Sequence, residues 1–114
     1  MITRDARTYV KDYLKQNIRY KIGTGGDSTN PNATDLDAPL DTTLLTGVTV
    51  NDSGESTIDY SVTVSGSTYL GQTIKEIGIF STTNNTLIVR VNYDGIGPLT
   101  ATDEIEFLIT LEVD

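Results

Sequence analysis

The oxygen-bearing side chains of residues 27–37 are the first candidates for chemistry in this sequence. They belong to Asp27, Asn30, Asn32, Asp35 and Asp37, and carboxylate and amide oxygens are ligands that calcium prefers. The run lacks the glycine and the terminal glutamate of an EF-hand loop. Asn and Asp also favour irregular backbone through local hydrogen bonds. A solvated acidic loop is therefore the favoured interpretation, and a calcium site is the alternative.

Side chains suited to catalysis are scarce. The chain contains no cysteine and no histidine, which excludes thiol nucleophiles, imidazole bases and the usual zinc ligands. An enzyme would have to work with carboxylates alone, as glycosidases do, and here these are scattered without a recognisable pair. The segment GTGG at residues 23–26 lacks the lysine of a phosphate-binding loop. The sequence predicts a protein without catalysis, metal or cofactor.

Charge divides the chain into two unequal parts. The net charge is −8, but residues 1–22 hold six cations and two carboxylates, which gives +4 there and leaves −12 for the rest. Beyond residue 22 the only cations are Lys75 and Arg90. Binding to nucleic acid is not expected, because that affinity comes mainly from neutralising phosphates. The basic segment is expected to meet the acidic body of its own or a neighbouring copy.

Residues 1–17 have the pattern of a basic amphipathic helix, with Thr3 suited to the N-cap. Apolar residues recur at helical spacing, namely Ala6, Tyr9, Val10, Tyr13, Leu14 and Ile18. The cations fall off this stripe and are expected on the exposed side; they are Arg4, Arg7, Lys11 and Lys15. An isolated helix this short is marginal in water. We predict that it docks across a subunit boundary or on a neighbouring protein, without inserting into a membrane.

From residue 18 onward, apolar residues alternate with a period of two, which is typical of half-buried antiparallel strands. Strands are predicted at 18–23, 44–50, 56–65, 73–80, 86–93 and 104–113. The predicted fold is mainly β, an antiparallel sandwich or flattened barrel, with residues 18–114 forming one domain that has a long acidic loop at 23–43. The side chains expected in the core are Ile58, Tyr60, Val62, Val64, Ile77, Ile79, Leu87, Val89, Ile105, Phe107, Ile109 and Leu111.

The segments 73–80 and 86–93 are predicted to form a hairpin in which Phe80 pairs with Thr86. This register groups four apolar residues on the core face, namely Ile77, Ile79, Leu87 and Val89. On the outer face it sets Glu76 opposite Arg90 as an ion pair, and Gly78 opposite Ile88. The glycine leaves a gap that suits close approach by another chain or by the helix. A bulge in an ordinary hairpin explains the glycine equally well.

Two stretches resemble a family of viral proteins. The stretch IGTGGDSTNPNATDLDAPL at residues 22–40 is similar to the loop that opens small domains of tailed-virus fibre and baseplate proteins. The stretch IKEIGIFSTTNNTLIVRV at residues 74–91 resembles their hairpin, I-x-E-x-G-[LI]-F, a turn, then L-I-x-R. The resemblance covers residues 18–113. It implies a virion structural module that oligomerises, often as a trimer, and attaches something to a tail or shell.

The resemblance leads us to expect a virion protein, made in the host cytoplasm, that binds itself and other tail or capsid proteins. Because the sequence ends with the last strand, we expect an adaptor, baseplate or capsid-decoration role rather than host recognition. The expected interface comprises Arg4, Arg7, Tyr9, Lys11, Tyr13, Lys15, Glu76, Gly78, Ile88 and Arg90. A carbohydrate-binding module remains an alternative from a different class, with Tyr69 and Tyr93 as its exposed aromatics.

Overall fold

The computed structural model describes residues 2–26 and 29–113 of the chain. Within them, one helix precedes six strands, which confirms the prediction of a mainly β fold with an N-terminal helix. The elements are α1 Arg4–Leu14, β1 Ile18–Gly23, β2 Thr49–Asp52, β3 Thr57–Ser65, β4 Ile74–Ser81, β5 Thr86–Ile96 and β6 Glu104–Glu112.

The strands form two antiparallel sheets of three strands, with the orders β1-β4-β5 and β2-β3-β6. Successive side chains of a strand point to opposite faces of its sheet, so every second side chain points inward. The inward side chains of both sheets form one core cluster. Burial predicted from alternation is confirmed for Ile58, Tyr60, Val62, Val64, Ile77, Ile79, Phe107 and Ile109. The fold is therefore the two-layer antiparallel sandwich that the sequence predicts.

Two details of this prediction are wrong. The expected strand at 44–50 is displaced, because Gly47 adopts a φ of 107° and β2 begins only at Thr49. Leu45 instead forms an isolated bridge with Tyr20, with backbone hydrogen bonds of 2.9 and 3.0 Å. Among the expected core residues, Leu87 lies outside the core cluster, whereas Val89, Ile105 and Leu111 pack against it half-buried.

The hairpin of β4 and β5 has a different register from the predicted one. Ser81 pairs with Thr86 and Phe80 with Leu87, and Ile88 is then an extra residue, so that Ile79 faces Val89. This bulge shifts the remaining pairs, so that Gly78 lies opposite Arg90 and Glu76 opposite Asn92. The predicted cross-strand pairs of Glu76 with Arg90 and of Gly78 with Ile88 are therefore wrong. The turn closes between Ser81 and Thr86, one residue later in β4 than predicted, and Asn85 within it has a left-handed φ of 51°.

In the segment 24–48, between β1 and β2, described residues from 24–26 and 29–48 pack on the outer face of β4 and along β1. Gly23 bridges to Pro39, and the Leu40 amide donates to the Ile22 carbonyl at 2.8 Å. Leu36 is only 5% exposed. Leu36 and its neighbours therefore pack on the sheet, whereas the oxygen-bearing residues Asn30, Asn32, Asp35 and Asp37 are exposed, as predicted for a solvated acidic loop.

Candidate interaction surfaces

The basic side of α1 docks on the turn between β2 and β3 of the same chain. Arg4 Nε donates to Glu55 Oε1 at 2.9 Å, and Arg7 Nη1 donates to Ser56 Oγ at 3.2 Å. Lys11 is only 6% exposed; its Nζ donates to Asp52 Oδ1 and to the carbonyls of Gly54 and Glu55. The prediction that these cations line the exposed side of the helix is wrong for Arg7 and Lys11, whereas the Arg4 side chain is 79% exposed.

These contacts use the cationic side of α1 within its own chain, so this side is not available for the predicted docking across a subunit boundary. Lys15 Nζ lies 3.1 Å from Asp52 Oδ2, so all four helix cations bind residues 52–56 or their neighbours on the helix. The basic segment therefore meets the acidic body of its own copy, one of the two partners that the charge pattern predicts. The side of the helix that remains available for another chain is the opposite one.

The ion pairs between α1 and the β2–β3 turn shift the pKa values of the groups that form them. Hydrogen bonds from Lys11 and then Lys15 lower the pKa of the Asp52 carboxyl below its ordinary value of 3.8. The bond from Arg4 likewise lowers the pKa of Glu55 below 4.5. The bond to Asp52 raises the pKa of Lys15. All these shifts favour the charged forms, as expected for ion pairs that hold the helix in place.

We expect the helix to loosen from the turn in acid. A carboxyl whose pKa is lowered by folding stabilises the fold above its ordinary pKa, and this contribution is lost as the pH falls through the lowered value. Docking should therefore be intact at about pH 5 and weaken below about pH 4, the range set by Asp52 and Glu55. Amide NMR shifts of residues 4–15 measure this directly.

The matched variant for this test is Asp52→Asn, which removes the carboxyl that binds both lysines. Its helix should be more loosely docked at neutral pH and should respond less to acid. An acid response equal to that of the parent protein would show that Asp52 does not couple the helix to the turn.

An apolar contact and a buried hydroxyl fix the C-terminal end of α1. Leu14 packs against the core cluster, and its carbonyl accepts a 2.7 Å hydrogen bond from Tyr60 Oη. Burial raises the pKa of Tyr60 to about 12. Just beyond the helix, Asn17 adopts a left-handed φ of 54°, and its carbonyl accepts from the Thr82 amide at 2.9 Å. The helix is therefore anchored to both sheets.

The opposite side of α1 is the tyrosine face, which we define by Ile2, Tyr9, Val10, Asp12, Tyr13 and Gln16. Tyr9 is 79% exposed, and Tyr13, Val10 and Ile2 are 37%, 39% and 44% exposed. Of the apolar stripe, Leu14 and Ile18 contact the core of the same chain and the other residues are exposed, so the predicted docking on another chain stays a prediction. Tyr9, Asp12, Tyr13 and Gln16 line a shallow depression of about 270 Å³.

Glu76 acts as a latch for the segment 24–48. It is fully buried, and its Oε1 accepts a hydrogen bond from the Asp37 amide at 2.9 Å. Its Oε2 accepts bonds from the amides of Ala38, at 2.9 Å, and Gly25. Buried backbone N–H groups require hydrogen-bond acceptors. Here one carboxylate accepts hydrogen bonds from three N–H groups of irregular backbone. The expected exposed ion pair of Glu76 is therefore a buried acceptor site instead.

Arg90 and Asn92 extend the same latch along β5. The Arg90 side chain is only 4% exposed, and its Nη1 lies 2.9 Å from Asp37 Oδ1 and 3.4 Å from the Asp35 carbonyl. Asn92 Nδ2 donates to the Gly25 carbonyl at 2.8 Å. Both residues therefore hold the chain's own segment 24–48 rather than presenting donors to a partner.

Gly78 makes room for this segment. A Cβ atom at this position would stand 2.8 Å from Leu36 Cδ2 and 2.9 Å from Phe80 Cε1, closer than side-chain carbons approach. The close approach predicted for another chain or the helix is made by Leu36 of the same chain. Ile88, the bulged residue, is half-buried and packs against the core cluster.

The acidic residues considered for calcium have other partners. Asp35 lies 3.2 Å from Lys21 Nζ, and Asp37 lies 2.9 Å from Arg90. Asp27 lies outside the described residues. Among residues 2–26 and 29–113, no group of three or more acidic side chains is placed to hold a metal ion.

The aromatic residues considered for sugar binding lie inside the sandwich. Tyr69 is 7% exposed and donates to Asp41 at 2.9 Å, and burial together with this bond raises its pKa. Tyr93 is half-buried, with its ring centroid 5.4 Å from that of Phe107. The sequence argument missed Asp41, which also accepts a bond from the Ile22 amide at 2.9 Å. Neither tyrosine forms an exposed sugar platform.

Sequence reasoning also missed Asp52 and Glu55 as the acidic partners of the helix. The signal was present in NDSGE at residues 51–55, where two carboxylates flank a turn and complement a helix face of four cations.

No protein-family model matches the chain, and no curated protein shows significant similarity to it. Within the part of the chain that the structure describes, no helix is long and apolar enough to cross a membrane.

Proposed function

We propose that the protein is a structural component of a tailed virus, an adaptor or attachment module of the tail fibre or baseplate, without catalytic activity. In this proposal it is part of the virion, forms a homo-oligomer, and binds other virion proteins. The trimeric state and the place in the tail rest on the resemblance of residues 22–40 and 74–91 to such modules.

The tyrosine face is the observation that carries the attachment role. Tyrosines are frequent at the energetic centres of protein interfaces, because they offer a large apolar surface with a polar tip at low conformational cost. Tyr9 is 79% exposed on a helix whose other side is fixed by ion pairs and by Leu14. A rigidly held aromatic surface loses little conformational freedom when a partner binds.

The carboxylates of Glu76, which is buried, and Asp41, which is half-buried, support a structural rather than catalytic role. Glu76 accepts three backbone amides, and Asp41 accepts one amide and the Tyr69 hydroxyl. Carboxylates that act as acid or base need access to a substrate, whereas these two hold the chain's own loop segments.

Immunogold electron microscopy tests the proposal. Antibodies against the recombinant chain should label virus particles from its source at one end of the tail. Labelling over the whole head would instead assign the protein to capsid decoration. Particles that carry no label, in a preparation where antibodies against a tail protein do label, would overturn the proposed function.

A further inference from the structure

The tyrosine face has the geometry of a single binding stripe. Asp12 and Tyr13 each lie three or four residues from both Tyr9 and Gln16, so the four side chains lie on one side of α1 and of the turn that follows it. Together they line one depression. Two aromatic rings, one carboxylate and one amide thus meet at the same place.

The charges around this stripe are acidic. Arg4, Arg7 and Lys11 point to the other side, where they bind the β2–β3 turn, and Lys15 lies between Asp52 and Asp12. Asp12 is 58% exposed on the stripe, and Lys15 lies 3.4 Å from one of its oxygens. Asp5 also lies exposed in the first turn of α1. The stripe therefore combines aromatic rings with negative charge.

A second copy of the chain is a poor match for this surface. Each copy carries a net charge of −8, so two copies repel each other. Of the eight cations, only Arg19 and Lys75 lack an ion pair among the described residues, because the other six already bind carboxylates of their own chain. Self-association must therefore use a different surface.

A cationic side chain matches both features of the stripe. The faces of tyrosine rings attract ammonium and guanidinium groups, and arginine in particular stacks on them. A nearby carboxylate adds a charge-assisted hydrogen bond, and the acidic body speeds association with a basic partner.

We propose that the tyrosine face binds a basic segment of another protein, with an arginine or lysine side chain seated on Tyr9 and Tyr13 beside Asp12. This inference deepens the proposed function, on which it rests for the nature of the partner as a virion protein. The chemistry of the face itself can be tested on the isolated chain.

The test is a titration of the ¹⁵N-labelled full-length protein with an end-capped peptide of alternating glycine and arginine at low ionic strength. Saturable shifts confined to residues 9–16 are expected, and a peptide with glutamate in place of arginine should cause none. Tyr9→Ala and Asp12→Asn should each weaken binding by about two- to fivefold, the size of one exposed cation–π contact or ion pair. Because Tyr9 is largely exposed, its replacement should leave the fold intact, which the spectrum itself shows.

The matched control is Glu106→Gln, which removes one carboxylate from an exposed position of β6. Its affinity for the peptide should equal that of the parent protein. Equal losses for Asp12→Asn and Glu106→Gln, or shifts spread over the acidic body, would mean non-specific attraction and overturn the inference. Concentration-dependent shifts of residues 9–16 without peptide would make a second copy the occupant and overturn it as well.

This titration and the immunogold experiment fail independently. Peptide binding that meets every expectation, with no label on particles, would reject the virion role and leave the chemistry of the face standing. If particles are labelled and still incorporate the Tyr9→Ala variant, and the peptide does not bind, the inference of a basic partner is rejected. The proposed virion role would then still stand.

Discussion

Replacing Glu76 with alanine is expected to release the segment 24–48 from the sheet and to lower the free energy of unfolding by about 3–5 kcal/mol. The reason is that three amides, of Gly25, Asp37 and Ala38, lose their acceptor. A buried donor without a partner costs about 1–3 kcal/mol, and partial exposure of the released segment to water reduces the sum. Urea denaturation measures the loss.

Hydrogen exchange locates the effect of Glu76→Ala. The three amides should exchange faster in the variant, whereas amides of β3 and β6 should change only as far as global stability does. Glu106→Ala removes the same side chain from an exposed strand position and should change stability by less than about 0.5 kcal/mol. Similar losses in both variants would contradict the latch.

Replacing Phe107 with alanine is expected to destabilise the protein by about 3–5 kcal/mol. The side chain is 3% exposed, its ring contacts that of Tyr93 with centroids 5.4 Å apart, and its strand position lies opposite Val62. Truncation removes apolar contacts from both sheets and leaves a cavity that the sandwich can fill only in part. Thermal or urea unfolding of the variant measures the change.

The neighbouring residue supplies the control. Leu108 is 63% exposed on the same strand, and Leu108→Ala should change the free energy of unfolding by less than about 0.5 kcal/mol. If Leu108→Ala were the more damaging of the two, the inner and outer faces of β6 would be reversed.

The pair Phe107 and Leu108 also shows what sequence predicts well. Alternation is a local property of the strand, and burying one face of each sheet is enough to decide which of two neighbours points inward. The existence of six strands, most of their limits and eight of the sixteen buried apolar side chains among the described residues follow from this rule alone.

The register of the β4–β5 hairpin could not be obtained in the same way. It depends on where the turn closes, at Asn85, and on one extra residue, Ile88. Apolar residues occur at Leu87, Ile88 and Val89 in succession, so several registers bury similar area and the pattern does not choose among them. The pattern alone therefore predicts an exposed ion pair for Glu76, which the bulge at Ile88 prevents.

The face of α1 that packs on its own chain could not be predicted from the sequence for a different reason. Tyrosine tolerates water at its hydroxyl, and lysine can bury its methylene stem while its ammonium finds acceptors. For Tyr9 and Lys11, the choice of face therefore depended on a distant partner, Asp52 and the carbonyls beside it. Helical periodicity identifies two different faces, but only tertiary contacts decide which one is inside.

The pairing of β1 with β4 has a consequence for the order of events during synthesis. Ile18 lies opposite Ser81, and Glu76 binds amides 51 and 38 positions earlier in the chain. Contacts so distant in sequence form only after long loops close, whereas the β4–β5 hairpin needs one short turn. The β4 partners of strand β1 and of Gly25 and Ala38 therefore become available only after the chain has been synthesised as far as residue 81.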